Sequence, residues 1–305
     1  MKKKSIFSAS FEESLNLEDD GFLKLQQDQH DKTAKYFKGG RTSMWFIIRS
    51  LIVTLICPIG FNFSMLVVSM MFHDSQTLTI PIAESPSLTV SIYLILLLIW
   101  LLLVVIGKFV KRMYLFPYRY QFHAFTFMNW FALEFNLVFN DFLLPALSFL
   151  GVIAVYTFIG FLGYFMITIE VGNLRKLMYR TVSAPSLIDK IANKIAIYGM
   201  GVLSLGVIVN FILKGVGMKF ATSMTALGFL LTWFVGNIVI MAITIFIGFP
   251  YFLQAYYKWK YPEEYREWEG KSLEEWYGKR YLKKHPELLE KEDYNQTHVH
   301  KEDTI

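Results

Sequence analysis

The sequence predicts an all-α, polytopic membrane protein of six transmembrane helices with cytoplasmic amino- and carboxyl-terminal tails. Three observations carry that fold class. The 305 residues are 54% hydrophobic, 17% aromatic and only 18% charged, against roughly 45–50% apolar and about 25% charged in soluble domains. Charge is also uneven: residues 1–43 hold eight Lys/Arg and seven Asp/Glu, the last fifty are similarly polar, and the middle is nearly bare. Finally, the fifty residues 120–169 contain no Lys or Arg at all, with Glu134 and Asp141 set in an aromatic, otherwise apolar run.

The net charge of +5 does not point to nucleic acid, because the basic residues cluster beside apolar spans, where membrane orientation accounts for them. Cys57 is the only cysteine, which excludes an intrachain disulfide and a cysteine metal cluster. The opening MKKKSIFSAS has the basic start of an export signal, yet Phe11-Glu-Glu-Ser follows in place of an apolar run, so no cleaved signal is expected. No cofactor and no metal site are expected; His298 and His300 read as solvated.

Residues 1–43 are expected to be a largely flexible tail, mobile or weakly docked, with a brief surface helix near residues 22–25 as the alternative. The first span, 44–71, exceeds the roughly 20 residues that a bilayer core needs. Pro58 removes a backbone hydrogen bond near its middle, with Gly60 and Asn62 close behind, so a kink or hinge is expected there. Arg49 lies near enough to the start of this span to snorkel. Residues 72–88, with Pro81 and Pro86 and no Lys or Arg, read as a loop on the far side. The second span, 89–107, is nearly pure Leu, Ile and Val and should face lipid. Four basic residues then mix with Tyr and Phe over 108–119, a pattern of interface anchoring.

The third and fourth spans are expected at 122–144 and 147–169. The fourth is secure, since its Leu, Ile, Val and Phe favour insertion by roughly 4–8 kcal/mol. The third is marginal, because one central charge costs about 3 kcal/mol and Glu134, Asp141 and three asparagines all fall within it. Loop charge decides for it. With six spans, loops 108–122 and 171–194 carry nine Lys/Arg, while 72–88, 139–146 and 214–222 carry two, an asymmetry that places both tails in the cytoplasm.

The fifth span, 195–213, holds Gly199, Gly201, Ser204 and Gly206, and the sixth, 224–250, holds Gly228, Thr232 and Gly236 on one face, so both should pack closely. The tail 251–305 begins with the aromatic run Tyr251, Tyr256, Tyr257 and Trp259, which reads as a membrane-interface belt. Pro262-Glu-Glu should open a helical turn. Ser272-Leu-Glu-Glu275 is a capping box, opening a helix that brings Leu273, Trp276, Tyr277 and Tyr281 to one side. That aromatic face needs a cover, either the chain's own loops and membrane surface or a partner.

At 100° per residue, Asn129, Asn136 and Asn140 lie within about 40° of each other on the third span, and Glu134 and Asp141 within about 20°. Ionisable groups at membrane depth mark substrate or ion pathways when they face a bundle interior. The expected function is therefore a membrane transport component, a small permease or the membrane subunit of an exporter, with this span as its polar pathway and Arg49 as a counter-ion for Glu134. The alternative is a non-catalytic scaffold that recruits a partner through the tail around Trp276. An enzyme acting on lipid-linked substrates ranks last, as no HExxH, P-loop or GxSxG motif occurs. Energy would come from an ion gradient or a separate ATPase chain, and the partners expected are that ATPase or another membrane subunit. The expected location is the lipid bilayer of a bacterial cell membrane.

Overall fold

The computed structural model describes residues 4–36, 44–75, 80–181 and 222–290. The expected fifth span at 195–213, His298 and His300 lie outside the described residues. Helices α1 (Phe11–Leu15) and α2 (Gly21–Tyr36) precede α3 (Met44–Asp74), α4 (Val90–Gly107), α5 (Phe116–Ala146) and α6 (Ser148–Met178). Helix α7 comprises Thr222–Ala242, a π-helical turn at Ile243–Gly248, and Phe249–Lys260. Short helices α8 (Pro262–Trp268), α9 (Leu273–Tyr277) and α10 (Lys279–Leu282) follow. No strand occurs among the described residues.

Among the described residues, α3, α4, α6 and the Gly228–Lys260 stretch of α7 are long and apolar enough to cross a membrane. Their outward surfaces carry exposed apolar side chains, such as Leu94, Leu98 and Leu102 on α4 and Phe149 and Leu150 on α6. Hydrocarbon solvates such surfaces, and helices satisfy their own backbone groups within it. This is the build of an integral membrane protein.

Helix α5 is as long as α6 but is not among the four. It is instead the helix around which they pack. Phe61 of α3 lies against Phe131 (5.0 Å between ring centres) and Phe72 against Phe142 (5.1 Å), so α3 and α5 run parallel. Helix α4 runs the opposite way, with Ser87, just before it, bonded to Asp141 and Gly107 at its end against the His123 ring. Helix α7 is also antiparallel to α5: Phe229 meets Phe142 at 5.1 Å, and Gly248 lies against Phe125. A Cβ on Gly236 would sit 2.9 Å from the Phe135 ring, so the bare backbone is what permits this approach. Of the other small residues expected on that face, Thr232 is exposed and donates to the Gly228 carbonyl at 2.8 Å. Helices α6 and α7 run parallel, pairing Tyr156 with Trp233 and Phe158 with Phe234 at 5.2 and 6.0 Å. Chain reversal between α5 and α6 takes a single non-helical residue, Leu147, next to Ser148 at φ 48°.

Proline shapes two helices without breaking them. Pro58 has no N–H for the carbonyl four residues back, and α3 answers by widening into a π-helical turn over Leu55–Phe61. The helix continues through it. A second π-helical turn, Ile243–Gly248, precedes Pro250 in α7.

The two tails fold together at one end of the bundle. Where the sequence suggests a largely flexible amino-terminal tail, residues 10–36 are mostly helical, and Ser14, Leu17 and Leu23 are buried. The preceding residues are held by their backbone. Arg175 donates to the Lys4 carbonyl at 2.9 Å, Tyr179 to Ser5 at 2.6 Å, Tyr256 to Phe7 at 3.2 Å and Tyr261 to Ala9 at 2.8 Å, while Tyr257 donates to Ile6. An irregular segment leaves its carbonyls unpaired unless side chains or water supply donors. The expected aromatic belt does this in part: Tyr256 and Tyr257 bind the amino terminus, whereas Trp259 is exposed. Tyr251 meets His30, whose Nδ1 lies 2.9 Å from its hydroxyl, and burial pushes the His30 imidazole down to about 3. Lys258 pairs with Glu269 at 2.6 Å in the same layer.

The expected capping box at Ser272 and Glu275 forms, but its helix stops at Gly278, whose φ of 84° suits a residue without Cβ. Tyr281 therefore sits on the next helix and stacks back on Tyr277 at 5.3 Å. Trp276 stacks on Tyr114 of the 108–115 loop at 4.5 Å, and Tyr277 donates to Glu263 at 2.6 Å. Trp276→Ala should cost about 3 kcal/mol locally and expose residues beyond Pro262 to limited proteolysis, with membrane insertion unchanged. Wild-type protease resistance would contradict this packing.

Candidate functional site

Helix α5 turns its two polar stripes to different neighbours. Glu134 and Asp141 share a buried face with Trp130 and Val138, which pack in one cluster with Leu66 of α3 and Tyr93 and Trp100 of α4. Asn136 faces α7 instead. Its Nδ2 donates to Asn237 Oδ1 at 2.8 Å and to the Ala132 carbonyl at 2.7 Å, and its Oδ1 accepts from Trp233 Nε1 at 2.8 Å. Both amide hydrogens and the oxygen are thereby used. Tyr156 of α6 adds a longer bond to the Asn136 carbonyl at 3.5 Å. Asn136 thus ties helices together. Asn140 is half-buried and Asn129 exposed, so the three asparagines do not make one continuous buried track.

The acidic stripe differs because its groups are incompletely paired. Glu134 is 0% exposed; Oε1 accepts from Trp130 Nε1 at 2.7 Å, and Oε2 has no hydrogen-bond partner. On α3, Asn62 is also 0% exposed, with neither amide atom bonded. One turn on from Asn62 is Leu66, which packs with Trp130 and Val138, so Asn62 borders the same interface. Helix α4 closes it with Tyr93, whose ring lies 5.9 Å from Trp130 and whose hydroxyl donates to the Ile59 carbonyl at 3.3 Å. Ile59 belongs to the π-helical turn, where displaced carbonyls are open to such donors.

Nearer the end of α5, Asp141 fastens the connection between α3 and α4. Its Oδ1 accepts from the Ser87 amide at 2.9 Å, and its carbonyl accepts from the Ala83 amide at 2.8 Å. Its Oδ2 lies 3.8 Å from His73 Nε2.

A lone buried carboxylate costs several kcal/mol unless it is neutralised. With a lone pair unused and an open amide across the helix interface, Glu134 is chemically suited to bind and release a proton or a small cation. Arg49 does not serve as its counter-ion. The residue is exposed, and with His73 level with Asp141, the 1.5 Å rise puts Arg49 roughly 25 Å from Glu134 along the axis. Pro58 is placed at the π-helical turn beside this interface, while Trp276, Tyr277 and Tyr281 belong to the packed tail. Among the described residues, no three His, Cys, Asp or Glu converge on a common metal position.

Sequence reasoning passed over Asn62, Ser69 and His73 as site residues. Their signal is spacing: with Leu66 they recur at i, i+4, i+7 and i+11, one face of an otherwise apolar helix. Tyr93 and Trp130 carried no such mark.

A double-mutant cycle with Asn136→Val and Asn237→Val should give a coupling of about 0.6–1.7 kcal/mol in unfolding measurements in lipid, the range of interhelical hydrogen bonds; additive effects would contradict the clamp. Compared with family models, curated proteins and solved structures, the chain matches none.

Proposed function

We propose that the protein is a membrane transport component, a small permease or the membrane subunit of an exporter, whose polar pathway follows the acidic stripe of α5 between α3 and α4. The observation that carries this reading is Glu134, 0% exposed and with one carboxylate oxygen unpartnered, opposite an interface that also holds the unbonded Asn62 amide. Groups with only a structural role in membranes find partners, as Asn136 does; incompletely paired ones are what a transported or coupling species needs. A π-helical turn beside such groups is a recurrent feature of functional helices.

The reading includes six spans in a cell membrane, with both tails cytoplasmic. Its support is directional. Helices α6 and α7 are parallel, so Met178 and Thr222 lie at opposite ends of the bundle. The expected fifth span, 195–213, falls between them in the chain. Helix α5 runs parallel to α3 over the same depth, which favours a spanning course for 122–144 over an interfacial one. Both tails gather at the end that carries Lys108, Lys111, Arg112, Arg175 and Lys176, in accord with the positive-inside rule. A separate ATPase chain or an ion gradient would supply energy, and another membrane subunit would be a partner. The scaffold alternative is less favoured, because Trp276 and Tyr277 are buried within the chain's own packing.

Glu134→Gln retains an oxygen to accept from Trp130 but cannot exchange a carboxyl proton. It should insert and fold normally while failing to complement a deletion of the gene. Full complementation would contradict the pathway.

A further inference from the structure

We infer that His73 and Asp141 form a one-proton binding site at the outer end of the acidic stripe. The two residues come from different helices, and His73 Nε2 faces Asp141 Oδ2 at 3.8 Å. Neither atom has a hydrogen-bond partner, and each is closed off from solvent. The other ring nitrogen is assigned by its neighbour: Nδ1 lies 2.9 Å from the Ser69 carbonyl, which can only accept, so Nδ1 carries a hydrogen. In a neutral ring Nε2 is then a bare acceptor, and it faces a second bare acceptor. One added proton converts that opposition into a donor–acceptor pair, as imidazolium with carboxylate or as imidazole with carboxylic acid. A closure of about 1 Å then gives a charge-assisted hydrogen bond.

The surroundings supply no substitute for that proton. The other oxygen of Asp141 is occupied by the Ser87 amide. On α3 the adjacent titratable group is Asp74, and on the 80–88 connection it is Glu84; both are exposed and acidic. On α5 the next is Glu134, seven residues deeper, or roughly 10 Å. The facing part of α4 begins with Thr89 and Val90, its first titratable group, Tyr93, lying deeper beside Trp130, and the nearby part of α7 presents Phe229. Ser69, 0% exposed and with its hydroxyl unpartnered, lies on the same α3 face between His73 and Asn62. The proton is thus the ligand class. As a binding site the pair stands alone; its role as the entrance through which protons reach Glu134, making the proton the coupling ion, rests on the transport reading.

The test is nitrogen-15 histidine NMR of the full chain in lipid nanodiscs, with the His73 signal assigned by its loss in His73→Gln. In the wild type, Nε2 should carry a proton or accept one from a carboxylic acid across the pair, rather than present a bare lone pair. In Asp141→Asn the amide supplies the missing hydrogen itself, so Nε2 should accept from it without an added proton. A bare Nε2 in the wild type overturns the site, as does a ring proton that survives unchanged in Asp141→Asn. Loss of complementation in Glu134→Gln together with either of those results would sink the proton site alone and leave the transport reading standing.

Discussion

The buried polar side chains of α5 need protein around them, and the rest of the bundle is arranged to supply it. A buried Glu, Asp or Asn has to meet protein, as Glu134, Asp141 and Asn136 do, whereas Asn129 is exposed. Helix α5 carries such residues on more than one side, so it cannot occupy an edge. It lies instead between α3 and α4 on its acidic side and against α6 and α7 on its asparagine side. The strongly apolar α4 needs no such shelter and exposes Leu94, Leu98 and Leu102.

The two stripes then take different roles according to how completely they are paired. Asn136, Asn237 and Trp233 satisfy one another, and such a network holds helices in register. Glu134 and Asn62 leave strong acceptors and donors unused within aromatic packing, where each unused group is costly. On the proposed transport reading, that cost keeps the site open to a species that comes and goes. Asp141 falls between these cases: one oxygen organises the connection between α3 and α4, and the other faces His73.

The fold was legible where its causes are local. Long apolar runs mark α3, α4, α6 and α7, the Ser272 capping box marks the start of α9, and the 100° advance separates Glu134 from Asn136. What was not legible depends on depth and on distant partners. Arg49, the basic residue near the start of the first span, was set against Glu134 of the third as its counter-ion, yet depth along a helix places it far from Glu134. The Tyr256, Tyr257 and Tyr261 hydroxyls bind backbone carbonyls some 250 residues away, contacts that leave no periodic trace because any residue offers a carbonyl. His73 meets Asp141 only because α3 and α5 run parallel in one register, which no single span reveals. Gly278 ends a helix that the aromatic pattern alone would continue.

The central claim is that α5 crosses the bilayer at the heart of the bundle, and sided labelling tests it most directly. In a Cys57→Ser background, cysteines at exposed Ala146 and Lys108 bracket the helix. The account predicts that an impermeant maleimide labels position 146 in intact cells and position 108 only after permeabilisation. Labelling of both positions from the same side would contradict it.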